Sequence, residues 1–68
     1  MKTFTLQQLR KTRGLTQEQL ESESGISQAA ISSIERGLVT DPAFSTVMKL
    51  ATALRVRPEQ LRFEQAVA

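Results

Sequence analysis

The sequence has no cysteine, no histidine, no tryptophan and no tyrosine. Without cysteine it forms no disulfide and offers no thiolate to a metal. Without histidine it lacks the commonest metal ligand and the side chain best suited to general base work near neutral pH. No glycine-rich phosphate cradle and no carboxylate pair in an evident cleft offset these absences. An enzyme is therefore rejected at this level, and no metal or cofactor is expected. A chain of 68 residues also has little room for a ligand pocket or a separate effector-binding domain. No apolar run approaches the ~20 residues of a membrane span. Lys2 is followed within ten residues by polar Thr, Gln and Arg, which is no signal-peptide pattern, so a cytoplasmic protein is expected.

What remains is helical in character. Aromatics are limited to three Phe, while Leu, Gln, Ala, Arg and Glu are plentiful. A chain of this length buries only about 60% of its unfolded surface, so one apolar core must hold it, with dimerisation a further source of stability. The net charge is only +2 but unevenly placed. Lys2, Arg10, Lys11 and Arg13 are met by no acid before residue 14, and Glu18, Glu21, Glu23 and Glu35 are met by no base up to residue 35. A basic excess suits a polyanion, yet ordinary solvated charge explains it equally well.

Punctuation along the chain divides it into five short helices and no strand. Thr5-Leu6-Gln7-Gln8 reads as a capping box, and Gly14 as a stop after basic residues in the last turn, giving a helix over 5–13. Thr16-Gln17-Glu18-Gln19 is a second capping box, opening a helix over 17–24 that ends at Gly25. Ser27 caps a third helix over 28–36, whose Ala30, Ile31 and Ile34 recur at helical spacing. After the Asp41-Pro42 turn, Val47, Leu50, Ala51 and Leu54 form the stripe of a helix over 43–54. Pro58 is placed at the first position of a last helix over 58–64, with Leu61 inward. The expectation is an all-α, five-helix bundle forming one domain over 1–68.

The most informative segment is Gln17 to Arg36. Two short helices are joined through Gly25 and Ile26, the first offering Leu20 inward and the second Ile31 and Ile34. That is the spacing of a helix-turn-helix unit. The glycine supplies the left-handed backbone such a turn requires, and Ile26 plugs the core behind it.

The run Leu9-Arg10-Lys11-Thr12-Arg13-Gly14-Leu15-Thr16-Gln17-Glu18-Gln19-Leu20 resembles the opening of Cro and phage-repressor-type (xenobiotic-response-element) helix-turn-helix proteins. Gly25-Ile26-Ser27-Gln28 and Ile31-Ser32-Ser33-Ile34-Glu35-Arg36-Gly37 are similar to the recognition helix and exit of that family. Leu50-Ala51-Thr52-Ala53-Leu54 with Pro58-Glu59-Gln60-Leu61 resembles its last two helices. In order and spacing these pieces cover about residues 6–62.

The resemblance implies a homodimer bound to a palindromic double-stranded DNA operator, acting as a transcriptional regulator. It implies that Gln28, Ala29, Ser32 and Ser33 read bases from the major groove, with Gln28 suited to a bidentate contact on adenine and Ala29 to a thymine methyl. Gln17, Ser27 and Arg36 would meet the DNA backbone, and Arg13 and Lys11 would either approach it or serve the end of their helix. Arg10 and Glu35 match a structural ion pair. Ser32 and Ser33 are equally at home as plain surface, and Arg36 as a surface cation.

Several residues depart from the family pattern. Glu21 stands where alanine is usual and Ser24 where an apolar residue is common, which should loosen the seam between the second and third helices or turn Glu21 outward. Arg55 occupies a position that is often glycine, where a left-handed residue costs about 1 kcal/mol. The loop Leu38-Val39-Thr40-Asp41-Pro42-Ala43 carries no base and one acid where relatives often grip phosphate. Its Leu38 and Val39, with Phe44, Phe63 and Val67, offer an apolar surface for a second subunit or a protein partner such as a toxin. Phe44 and Phe63 serve equally well as caps on the small core. A protein-interaction module or antitoxin is thus the alternative reading.

Overall fold

Thr5 and Thr16 start the first two helices in the same way. In the computed structural model of the chain, which describes residues 2–64, each threonine hydroxyl accepts the backbone N–H three residues on. The glutamine at that position, Gln8 or Gln19, reaches back to accept the threonine's own N–H at 2.9 and 2.8 Å. Both expected capping boxes are present, and they launch α1 (Leu6–Thr12) and α2 (Gln17–Ser24). Ser27 caps α3 (Gln28–Glu35) by accepting the Ala30 N–H at 3.2 Å. The fourth helix, α4 (Phe44–Leu54), starts after Ala43 with no side-chain cap.

Four α-helices, not five, are present among the described residues. The expected helix over 58–64 is a single 3₁₀ turn, Pro58–Gln60. Gln60 accepts the Arg57 N–H through its side chain at 3.0 Å, and its own N–H returns to the Arg57 carbonyl, which closes the turn on itself. Leu61 then leaves in extended conformation, so no helix propagates. The expectation of no strand is corrected at the same place. β1 (Phe4–Thr5) and β2 (Leu61–Arg62) form a two-stranded parallel ladder, with Phe4 opposite Leu61 and Thr5 opposite Arg62. The ladder satisfies backbone groups that a fifth helix would have bonded internally. It also fastens the segment entering α1 to the segment leaving α4.

The core is one cluster of Leu6, Leu9, Leu20, Ile31, Ile34, Leu50, Ala51, Leu54 and Leu61. Leu20, Ile31, Leu50 and Leu54 are fully buried, so every helix except α1 supplies a wholly enclosed aliphatic side chain, and α1 adds Leu6 at 1%. Complete burial of such side chains contributes about 1.5–3 kcal/mol each relative to exposure. Phe4, Leu15, Ile26, Val47, Val56 and Phe63 pack around the rim. Gly25 ends α2 with φ +78°, and a Cβ placed there would meet nothing within 4 Å. Backbone conformation, not lack of space, therefore calls for glycine at the turn. Arg55 ends α4 in the same left-handed region at φ 58° without being glycine.

The two departures in α2 are accommodated. Leu20 and Ile31 are fully enclosed, so the seam between α2 and α3 is closed despite Glu21, which is half-buried. The Ser24 hydroxyl accepts the Ile26 N–H at 3.1 Å and so serves the turn. No helix among the described residues is long and apolar enough to cross a membrane.

Candidate nucleic-acid interface

α3 is held by its apolar side. Ile31 and Ile34 are buried, while Gln28 and Ala29, in the first turn, are exposed. Ser32 and Ser33, one turn on, are half-buried. The expected reading residues therefore share the outward side of one helix, graded from open at its N-terminal end to flanked at the middle. No charge interrupts this face before Glu35. Ser27 is exposed, and its hydroxyl oxygen is engaged as the helix cap. The hydroxyl hydrogen remains free to donate, since a serine both accepts and donates.

The other end of α3 is fixed by the densest side-chain hydrogen-bond network among the described residues. Arg10 Nε donates to Glu35 Oε2 at 2.6 Å and Arg10 Nη2 to Glu35 Oε1 at 2.9 Å, a bidentate fork. Arg10 Nη1 donates to the Leu15 carbonyl at 2.7 Å, immediately before the cap of α2. Gln17 Nε2 donates to Glu35 Oε1 at 3.2 Å. One guanidinium thus ties α1, the lead into α2 and α3 together. The side chains of Arg10 and Glu35 are 11% and 3% exposed. The hydrogen bond to Glu35 raises the Arg10 pKa above its usual range, burial opposes this, and the attraction of the carboxylate adds to it. The expected ion pair is therefore present, and Gln17 is joined to it, a link that no local pattern in the chain signals.

Arg36, the C-cap residue of α3, is exposed, as are Lys11 and Arg13 at the end of α1. All three cations stand on surface that a polyanion can reach. Beside the reading helix lies an open groove of about 440 Å³, walled by Ala29, Ala30, Ser33 and Ile34 on one side and by Val39, Asp41, Pro42, Ala43 and Thr46 on the other. Among the described residues that line it, only Asp41 carries a charge.

The apolar surface expected of the loop divides in two. Leu38, Val39 and Phe44 are exposed, Phe44 to 74%, and Met48 joins them one turn along α4. Phe63 instead packs half-buried against the core. Val67 lies outside the described residues.

A family model described as helix-turn-helix matches residues 6–61, and the chain belongs to that family. It is 47% identical over 53 residues to an uncharacterised HTH-type transcriptional regulator, y4dJ, of Sinorhizobium fredii, covering 78% of this chain and 68% of that one. It is 44% identical over 59 residues to the HTH-type transcriptional repressor RghR of Bacillus subtilis, covering 87% of this chain but only 44% of the repressor. Among solved structures, the restriction-modification controller protein C.AhdI of Aeromonas hydrophila superposes with a TM-score of 0.75 at 36% identity, over 81% of this chain and 82% of that one. The N-terminal DNA binding domain of SinR from Bacillus subtilis gives 0.76 at 31% identity, over 79% and 78%.

Proposed function

We propose that this chain is a DNA-binding transcription regulator that reads double-stranded DNA sequence-specifically by laying α3 in the major groove. The single observation that carries the reading is the outward side of α3. It is polar, uncharged and exposed at Gln28 and Ala29, and rigidly backed by Ile31 and Ile34. The family match and the regulators among its relatives support the class.

In this reading Gln28, Ala29, Ser32 and Ser33 meet base edges, and Gln17, Ser27, Arg36, Arg13 and Lys11 meet the backbone. The loop with Asp41 and no cation grips no phosphate, so one subunit binds weakly and with a shallow salt dependence. A homodimer on a palindromic operator offsets that weakness, with Leu38, Val39 and Phe44 as its exposed apolar surface. The regulator acts in the cytoplasm as a repressor or autoregulator.

Selection from a random duplex library tests this, at two protein concentrations and moderate salt. An enriched palindrome is the expected outcome. A folded chain that enriches nothing would overturn the reading.

A further inference from the structure

Glu35 Oε1 accepts from two partners at once, Arg10 Nη2 at 2.9 Å and Gln17 Nε2 at 3.2 Å. Only the nitrogen of the Gln17 amide can face a carboxylate oxygen, because its carbonyl oxygen has no hydrogen to give. The amide is therefore held in one orientation, and the 3% exposed carboxylate that holds it is itself locked by the Arg10 fork. No buried side-chain nitrogen or oxygen among the described residues lacks a partner. Among the described residues the second amide hydrogen and the carbonyl oxygen of Gln17 have no hydrogen-bond partner, and the half-buried Gln17 is the first residue of α2.

We propose that Glu35 is a positioning residue for DNA binding: through Oε1 it presents the second amide hydrogen of Gln17 to a backbone phosphate, coupling the Arg10 clamp to the DNA surface. This rests on the DNA-reading role proposed above. The coupling turns what is otherwise a structural ion pair into a determinant of affinity. Gln17 meets DNA already ordered, so binding loses less side-chain freedom than a free surface glutamine would.

The test is a double-mutant cycle on an operator duplex, with Gln28→Ala as the base-reading control. In the native background Gln17→Ala is expected to weaken binding about tenfold on every sequence, as the loss of one hydrogen bond to a charged group should. The salt slope should stay unchanged, because no cation is removed. In a background carrying Arg10→Met and Glu35→Leu, which replaces the pair by apolar side chains, the same Gln17→Ala change should cost less than about twofold. Equal penalties in both backgrounds overturn the proposal, since a purely structural Glu35 would leave the Gln17 penalty untouched.

Native-strength binding by Gln17→Ala, while Gln28→Ala still loses base preference, sinks the proposal and leaves DNA reading intact. Failure of the folded native chain to bind any duplex sinks both. A measurement without DNA or substitution stands beside the cycle should the apolar pair not fold. The ¹⁵N order parameter of the Gln17 side-chain amide in the native chain is expected above about 0.6, and a freely mobile amide below that value overturns the proposal.

Discussion

The Arg10 guanidinium and the Glu35 carboxylate, twenty-five residues apart in sequence, meet through two hydrogen bonds of 2.6 and 2.9 Å and join α1 to α3. Removing Arg10 leaves the buried Glu35 carboxylate with only the neutral Gln17 amide and no opposite charge. Arg10→Ala is therefore expected to destabilise the chain by about 3–5 kcal/mol, while Arg10→Met with Glu35→Leu should be far less costly. Chemical denaturation of the three proteins checks this. Equal losses in the single and double variants would show that the pair itself stabilises the fold and that the stranded charge is not the source of the loss.

Arg55 holds φ 58° at the end of α4, where an L side chain crowds the following carbonyl. Arg55→Gly relieves about 1 kcal/mol or more of that strain, and the greater freedom of glycine in the unfolded chain returns part of it. A rise in melting temperature of a few degrees is expected for a chain of this size. A β-branched replacement, Arg55→Val, should lower it. A fall for the glycine variant would contradict the strain.

The Ser27 hydroxyl accepts the Ala30 N–H at the start of the reading helix. Ser27→Ala leaves that donor without its cap and is expected to cost about 1 kcal/mol, and Ser27→Gly only a few tenths. Thermal melts of the two variants decide the order. If the same hydroxyl also donates to phosphate, both variants should additionally weaken DNA binding by similar factors after correction for folding.

Gln28 and Arg36 are both exposed, at opposite ends of α3, and are expected to fail differently. Gln28→Ala should relax preference at one base pair by about 1–3 kcal/mol. Arg36→Ala should weaken all sequences alike and reduce the salt slope by about 1. Binding curves at several salt concentrations, on operator and scrambled duplexes, separate the two. Unaltered base preference in Gln28→Ala would remove Gln28 from the reading face.

Phe44 is 74% exposed on α4, so its side chain contributes little to the fold. Phe44→Ser is expected to change stability by no more than about 0.5 kcal/mol. If Phe44 belongs to a subunit contact, the same variant should lower apparent mass in sedimentation at high concentration and weaken operator binding. A large loss of stability at low concentration would place Phe44 in the monomer's core instead.

Much of this molecule was legible in sequence because its signals are local. Thr-x-x-Gln occurs at Thr5 and again at Thr16, and each instance makes a reciprocal pair of hydrogen bonds that needs nothing beyond four residues. The stripe Val47, Leu50, Ala51 and Leu54 needs only the helical period. The paired strands are not legible in sequence, because two residues carry no alternation and their partners lie 57 residues apart in register. Pro58 marks a helical start but not its length, which the Gln60 side chain and the ladder cut short to one 3₁₀ turn.

Position on the surface was the harder matter. Phe44 and Phe63 look alike in sequence, and only the packing of the chain sent Phe63 to the core rim and left Phe44 in water. By itself the sequence determined the first four helices, the caps of the first three, the turn at Gly25 and a polar uncharged face on the third, because capping, period and left-handed glycine act within a few residues. The tertiary structure alone decided that the first and last segments pair as strands, that the loop and α3 frame a groove, and that Glu35 holds both Arg10 and Gln17. Those relationships join residues far apart in the chain, and only the closing of the core brings them within reach of a hydrogen bond.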